Sequence, residues 1–414
     1  MEIKRDLYLK KLVRRQNNGM VKVITGVRRS GKSYLLFNIF RKHLISEGVS
    51  AKQIIEVALD DIANKGLRQA DALFEHVKSR VKDDAPHYVF LDEIQFVDGF
   101  YDVLNGLMRI GNLDIYVTGS NSRLLSSDIL TEFRGRGDEV RVYPLCFSEY
   151  FSGCKGSVNQ AWKDYYTFGG MPLILSRESD VLKADYLANL FKEVYLLDIC
   201  ERNNIRHEAD FETIIDILAS SIGSLTNPSK LQRSLKSGRG SAITDKTIKA
   251  YIDFLDDAFL IQAAQRFDVK GRKYIETPLK YYFTDVGLRN ARLNFRQQEE
   301  NHIMENIIYN ELKVRGYSVD AGVVATTETG ADGKRRQKRL EVDFIARRGN
   351  DQTYIQSAFA ANSAEKENKE KRPLVKIPDS FSKLIIVNDD IKTKRDDDGI
   401  VTMSLFDFLL NGDS

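Results

Sequence analysis

Short β-branched and apolar runs alternate with helical stretches through the first third of the chain. Val21-Lys22-Val23-Ile24-Thr25 predicts a buried strand, and the cluster of Tyr34, Leu35, Leu36, Phe37, Ile39 and Phe40 predicts an apolar helix soon after it. The run Ile54-Ile55-Glu56-Val57-Ala58-Leu59 predicts the next strand, residues 67–81 a helix, and Tyr88-Val89-Phe90-Leu91 a third strand. Asp114-Ile115-Tyr116-Val117-Thr118 predicts a fourth strand and residues 140–145 another. Strands alternating with helices predict a parallel α/β sheet. Ahead of it, Leu7, Leu9, Leu12 and Val13 have loosely helical spacing.

The pattern changes further on. Leu182, Tyr186, Leu190 and Val194 recur at every fourth position and predict a helix over 181–205. Helical patterns follow at 211–221 and 229–235, then from Thr244, with Ile248, Ile252 and Leu255 on one face. Two apolar runs, Ala258-Phe259-Leu260-Ile261 and Tyr281-Tyr282-Phe283, flank a basic stretch at 266–273. Three helices and a two-stranded ribbon with a basic tip describe a winged helix. Such a module binds DNA through its last helix (Lys246, Lys249) and its wing (Lys270, Arg272, Lys273), or serves as a lid or protein contact. The last part predicts a helix over 305–312, a polar hairpin-like stretch, strands at 340–346, 354–358 and 384–387, and a final helix at 405–410. The mixed charges of 366–372 predict a solvated loop or helix face.

Between the first strand and its helix stands Gly26-Val27-Arg28-Arg29-Ser30-Gly31-Lys32-Ser33, which is G-x-x-x-x-G-K-S in the strand–loop–helix context of a P-loop. Gly26 and Gly31 let the backbone turn its N–H groups inward around phosphates at the positive end of the helix that Tyr34 opens. Lys32 supplies a point charge to the β- and γ-phosphates of ATP, and the Ser33 hydroxyl is placed to ligate Mg²⁺. The N-terminal helical stretch is expected to pack beside this site. The third strand runs into Asp92-Glu93, so Asp92 at the strand's edge is suited to the Mg²⁺ water shell and Glu93 to orienting the attacking water. The fourth strand ends in Thr118-Gly119-Ser120-Asn121, where Thr118, Ser120 and Asn121 are alternatives for contacting the γ-phosphate or the water. In Glu132-Phe133-Arg134-Gly135-Arg136-Gly137, either Arg136 or Arg134 is a candidate arginine finger for a neighbouring subunit, which would make the protein a homo-oligomer.

The order of GVRRSGKS, YVFLDEIQ, VTGSNSRLL, the FRGRG turn and YPLCFSEY resembles the AAA-type bacterial and archaeal ATPases that carry a C-terminal domain of unknown function. Tyr166-Thr167-Phe168-Gly169-Gly170-Met171-Pro172 resembles that family's junction into its C-terminal half. The resemblance implies ATP binding, Mg²⁺ and hydrolysis. Residues from about 300 resemble the restriction-endonuclease-like core, in which a helix glutamate, a strand aspartate and a carboxylate two residues before a lysine gather metal. Glu305 and Asp343 match it, whereas Gln356 replaces the carboxylate and Ala358 the lysine, so a degenerate, non-cleaving domain is expected. The expected organisation is an AAA-type P-loop domain over 1–150, a helical junction over 151–205, a winged helix over 206–295 and a degenerate nuclease-like α/β domain over 296–414.

Composition changes this picture little. The 414 residues are 42% hydrophobic and 29% charged, with a formal net charge of +3. That is the composition expected of a soluble protein, no apolar stretch approaches membrane-spanning length, and the near-balanced charge permits a local nucleic-acid surface without arguing for one. Cys146, Cys154 and Cys200 lack C-x-x-C spacing and predict reduced thiols. The opening Met1-Glu2-Ile3-Lys4-Arg5-Asp6 lacks the hydrophobic region of a signal peptide, so a cytoplasmic protein without a membrane partner is expected. The function expected is an ATPase switch or motor acting on a partner. An ATP-gated nucleic-acid-binding protein or nuclease and a slow-turnover interaction scaffold are the alternatives.

Overall fold

The computed structural model describes residues 3–119, 136–240, 242–296, 299–329, 335–359 and 364–411. The chain divides into two compact units. Residues 1–144 with 257–259 form the first, and 145–256 with 260–414 the second.

The first unit is built on a parallel sheet of β1 (Val21–Thr25), β2 (Ile54–Ala58), β3 (His87–Asp92), β4 (Leu113–Thr118) and β5 (Gly137–Arg141), in the order β2-β3-β4-β1-β5. It is the P-loop α/β fold that the apolar runs predict. Because side chains alternate along a strand, each run supplies two cores. Val89, Leu91, Ile115 and Val117 pack on one face against Leu73, Val77, Val103 and Leu104 from helices Ala70–Arg80 and Phe100–Leu107. Tyr88, Phe90 and Tyr116 pack on the other against Leu35, Leu36 and Phe40 of the helix after β1, and against Tyr8 and Leu12 of helix Asp6–Val13. The helix after β1 runs over 32–46 and is π-helical across Leu35–Phe40. The last strand ends sooner than the apolar run predicts. After Arg141 the chain crosses the end of β1, where the Val142 amide donates to Thr25 O at 2.8 Å.

In the second unit, helices Phe147–Ser152, Val158–Phe168 and a helical run over 180–202 precede helices Glu208–Ser220, Pro228–Arg239 and Asp245–Asp257. A hairpin of β6 (Ile261–Asp268) and β7 (Lys273–Phe283) comes next, followed by helices Val286–Arg292 and Glu300–Val314. Then come β8 (Ser318–Thr329), β9 (Arg335–Arg348), β10 (Asp351–Ala358), helix Ala364–Val375, β11 (Ser382–Val387), β12 (Lys394–Arg395), β13 (Val401–Ser404) and helix Leu405–Leu410. Three helices followed by a hairpin is the order the sequence predicts. The hairpin, however, is not a free-standing wing. Residues 266–268 of β6 pair in parallel with 321–323 of β8, so one mixed sheet runs β12-β13-β11-β10-β9-β8-β6-β7. That pairing carries β6 seven residues past Ile261, the end of its apolar run. Among the described residues, no helix is long and apolar enough to cross a membrane.

Candidate functional site

Five strands running in one direction bring their C-terminal ends to one edge, and the loop after β1 turns there. Gly26 has φ +135°, and a Cβ on it would lie 2.1 Å from Val142 O, so no side chain fits. Gly31 (φ +96°) opens the helix. Lys32 is 4% exposed and bridges the loop, its Nζ donating to Gly26 O at 2.9 Å and Val27 O at 3.1 Å. Burial lowers its pKa to about 8, against the opposing pull of Glu93 and Asp92. Val27 and Ser30 are buried, Arg28 and Ser33 half-buried, and Arg29 and Tyr34 exposed.

Asp92 is the buried last residue of β3. Burial raises its pKa, while hydrogen bonds from the Thr118 and Ser33 hydroxyls hold it down. Glu93 follows in the left-handed region (φ 52°), which turns the chain off the strand. Its amide donates to Thr118 Oγ1 at 3.0 Å, and the same hydroxyl donates to Asp92 Oδ1. Thr118 thus ties both acids, a consequence of β4 lying between β1 and β3. Ser120, Asn121 and Arg134 lie outside the described residues. Arg136 is exposed and immediately precedes β5, whose Gly137 is level with Val21. It therefore stands at the sheet edge opposite the P-loop, about 13 Å of strand away.

Two partners in this site were not read from the sequence. Gln95 Nε2 donates to Glu93 Oε2, holding the carboxylate beside the strand end. Arg5 donates from Nη1 to Ser30 O at 3.1 Å and from Nη2 to Tyr143 O at 2.7 Å, fastening the P-loop backbone from the N-terminal segment. The position of Gln95 two residues after Glu93 is the signal that could have found the first, whereas no local signal marks the partners of Arg5.

The second unit does bring Glu305 and Asp343 together, around a lysine. Lys280 of β7 is 3% exposed, and its Nζ lies 2.9 Å from Glu305 Oε1 and 2.5 Å from Glu341 Oε1. The Tyr282 hydroxyl donates to Glu305 Oε1 at 2.6 Å. Burial works to lower the Lys280 pKa, but the charges of Glu305, Asp343 and Glu341 overcome it and raise the pKa. Burial and then Glu305 push Asp343 well above the usual carboxylate range. Gln356 accepts from the Asp343 amide at 3.2 Å and donates to Glu370 Oε2 at 3.1 Å, and the buried Ala358 offers nothing polar. A divalent metal does not fit this arrangement, because the Lys280 ammonium already sits between Glu305 and Glu341 and its charge acts on Asp343 as well. Among the described residues, no group of three His, Cys, Asp or Glu side chains is disposed to hold a metal ion. Lys246, Lys249, Lys270, Arg272 and Lys273 are all exposed, with Lys249 paired to Asp253 at 3.0 Å.

A family model described as an AAA domain matches residues 18–151, and one described as a domain of unknown function (DUF8612) matches 159–299. A Haemophilus influenzae protein, described as uncharacterized, is 32% identical over 416 residues, covering 99% of this chain and 98% of that one. An uncharacterized Methanocaldococcus jannaschii protein is 28% identical over 385 residues, covering 89% and 80%. Among solved structures, Cdc6p from Pyrobaculum aerophilum aligns over 74% of this chain and 96% of its own at 11% identity, with a TM-score of 0.30.

Proposed function

We propose that this chain, which belongs to the same family as the Haemophilus influenzae relative and carries an AAA domain over residues 18–151, is a Mg²⁺-dependent ATPase. In this reading its nucleotide state acts as a switch or motor on a partner. The observation that carries the reading is one hydrogen-bonded cluster at the P-loop edge, in which Ser33 and Thr118 both donate to Asp92 and Lys32 is held by the loop it closes. The loop amides and Lys32 bind the phosphates, the lysine exchanging its carbonyl partners for phosphate oxygens. Ser33 and Asp92 offer a hydroxyl and a carboxylate to one point and fit a Mg²⁺ ion. When bound, Mg²⁺ neutralises the charge that develops on the phosphates. Glu93, steadied by Gln95 and by Thr118, orients the attacking water and takes its proton. Arg136, remote from its own P-loop, supplies the finger to a neighbouring copy in a homo-oligomer.

Two substitutions test the core of this. Lys32→Ala removes the phosphate charge and is expected to abolish measurable ATP binding. Glu93→Gln is expected to bind ATP like the parent and lose most turnover. Parental hydrolysis by Glu93→Gln would remove Glu93 from the role given to it.

A further inference from the structure

The second unit carries a concentration of positive charge that the nucleotide reading leaves unused. β8 and β9 form a long antiparallel ribbon whose two strands remain paired as far as Thr329 and Arg335. The distal end of β9 reads Arg335-Arg336-Gln337-Lys338-Arg339, and all five residues are exposed; burial begins only from Leu340 onward. They pair with 325–329 of β8, a stretch whose one acid is Glu328, opposite Arg336.

The turn of the β6–β7 hairpin lies next to this ribbon. β6 runs parallel to β8 with Asp268 level with Val323, and the Val269 amide donates to Val323 O at 2.9 Å. The turn therefore leaves β6 two residues short of Ala325, which is opposite Arg339. It presents Lys270, Arg272 and Lys273, all exposed. Asp268 is engaged within the turn by the Gly271 amide at 2.9 Å. Seven cationic side chains are thus gathered at one end of the sheet, in a chain whose formal net charge is only +3.

The arrangement of these charges selects the partner. Side chains alternate across a strand, so Arg335 and Arg339 project from one face of the ribbon, and Arg336 and Lys338 from the other. A flat anionic surface such as a membrane can meet only one face. A nucleic-acid groove, walled by phosphates on both sides, meets both. A two-stranded ribbon is the width that the roughly 12 Å major groove of B-DNA admits. Five paired residues reach about 17 Å along it. We propose that the distal β8–β9 ribbon and the adjoining β6–β7 turn form a docking surface for duplex nucleic acid, held through its phosphate backbones. The surface is independent of the nucleotide site, and its test uses no ATP.

The probe is a fluorescently labelled 30-base-pair DNA duplex, its anisotropy followed with the full chain between 50 and 200 mM salt. Five to seven phosphate contacts give a log–log salt slope between about −4 and −6, and a loss of affinity on the order of 10³-fold across that range. Replacing Arg335, Arg336, Lys338 and Arg339 together by Ser is expected to shallow the slope by about 3 to 4. Replacing Lys270, Arg272 and Lys273 is expected to shallow it by about 2 to 3. A charge-matched control replaces the exposed Lys52, Lys78, Arg80 and Lys82 of the first unit and leaves the slope unchanged. An unchanged thermal transition shows that the ribbon variant still folds. The proposal is overturned by no duplex binding at 50 mM salt, by a ribbon variant that binds like the parent, or by a control that weakens binding equally. Tighter binding to anionic phosphatidylserine vesicles than to the duplex also overturns it.

Discussion

Replacing Lys280 by Met keeps most of the stem's bulk and deletes the ammonium from the acids of the second unit. Glu305 then retains the Tyr282 hydroxyl, and Glu341, 42% exposed, can turn toward water. Asp343 is left buried beside Glu305 with no cation to offset their repulsion. Removing one member of a buried ion pair costs about 3–5 kcal/mol. The freedom of Glu341 puts this case near the lower end, about 3 kcal/mol. For a unit of this size that corresponds to a fall in Tm of roughly 6–12 °C, read by calorimetry from the second unit's transition. The deficit should shrink as the pH is lowered toward 5, because burial and the neighbouring Glu305 already favour the protonated form of Asp343. Mn²⁺ should restore part of the Tm in the variant and none in the parent, since only the variant has room for a cation between the carboxylates. For the same reason the parent is expected not to cut DNA or RNA with Mg²⁺ or Mn²⁺. A Lys280→Met variant within about 1 kcal/mol of the parent at pH 7.5, or metal-dependent cutting by the parent that Asp343→Ala abolishes, would refute the account.

Thr118→Val deletes the hydroxyl that ties Asp92 to the Glu93 amide. Loss of a hydrogen bond to a charged group is worth about 1.5–3 kcal/mol, so steady-state assays should show kcat lowered about 10- to 100-fold with ATP affinity little changed. Arg136→Ala should bind ATP and fail to hydrolyse it, by a factor of about 10³–10⁵ if the finger acts in trans. Mixing it with Lys32→Ala should then restore activity, and no rescue together with concentration-independent turnover would favour a site complete in one chain. Asp285 accepts from the Gly170 amide at 2.7 Å and the Leu288 amide at 2.9 Å, and burial pushes its carboxyl up to about 6. Because the folded state keeps this proton longer than the unfolded chain, stability should fall by about 3 kcal/mol as pH rises from 4 through 6 and then level off. Tm measured against pH should show that fall in the parent and not in Asp285→Asn.

What could be read from the sequence was local. The P-loop is eight contiguous residues between a strand and a helix, and Asp92-Glu93 ends an apolar run, so composition and order sufficed. That Thr118 meets Asp92 and the Glu93 amide depends on the placement of β4 beside β3, which no single strand encodes. Arg5 meets Ser30 across 25 residues and Tyr143 across 138, and nothing near Arg5 announces either partner. Lys280 stands in an ordinary strand end, and its acids come from a helix and another strand. The cations of 335–339 fall in what the sequence shows only as a polar hairpin-like stretch; their pairing with 325–329 shows a ribbon, and the pairing of β6 with β8 shows what stands beside it.

The first unit includes residues 257–259, and within it the Arg141 guanidinium stacks over the Phe259 ring at 4.6 Å as well as over Tyr143 at 5.1 Å. Translation reaches Phe259 115 residues after Pro144 has been added. At about 5–20 residues per second that is roughly 6–23 seconds during which Arg141 of the nascent sheet lacks the Phe259 ring and has Tyr143 alone to stack on. A gene fragment ending at residue 144 would keep that unfinished state permanently, so expression of the first unit by simple truncation should yield a less stable product than the same unit carried in the whole chain.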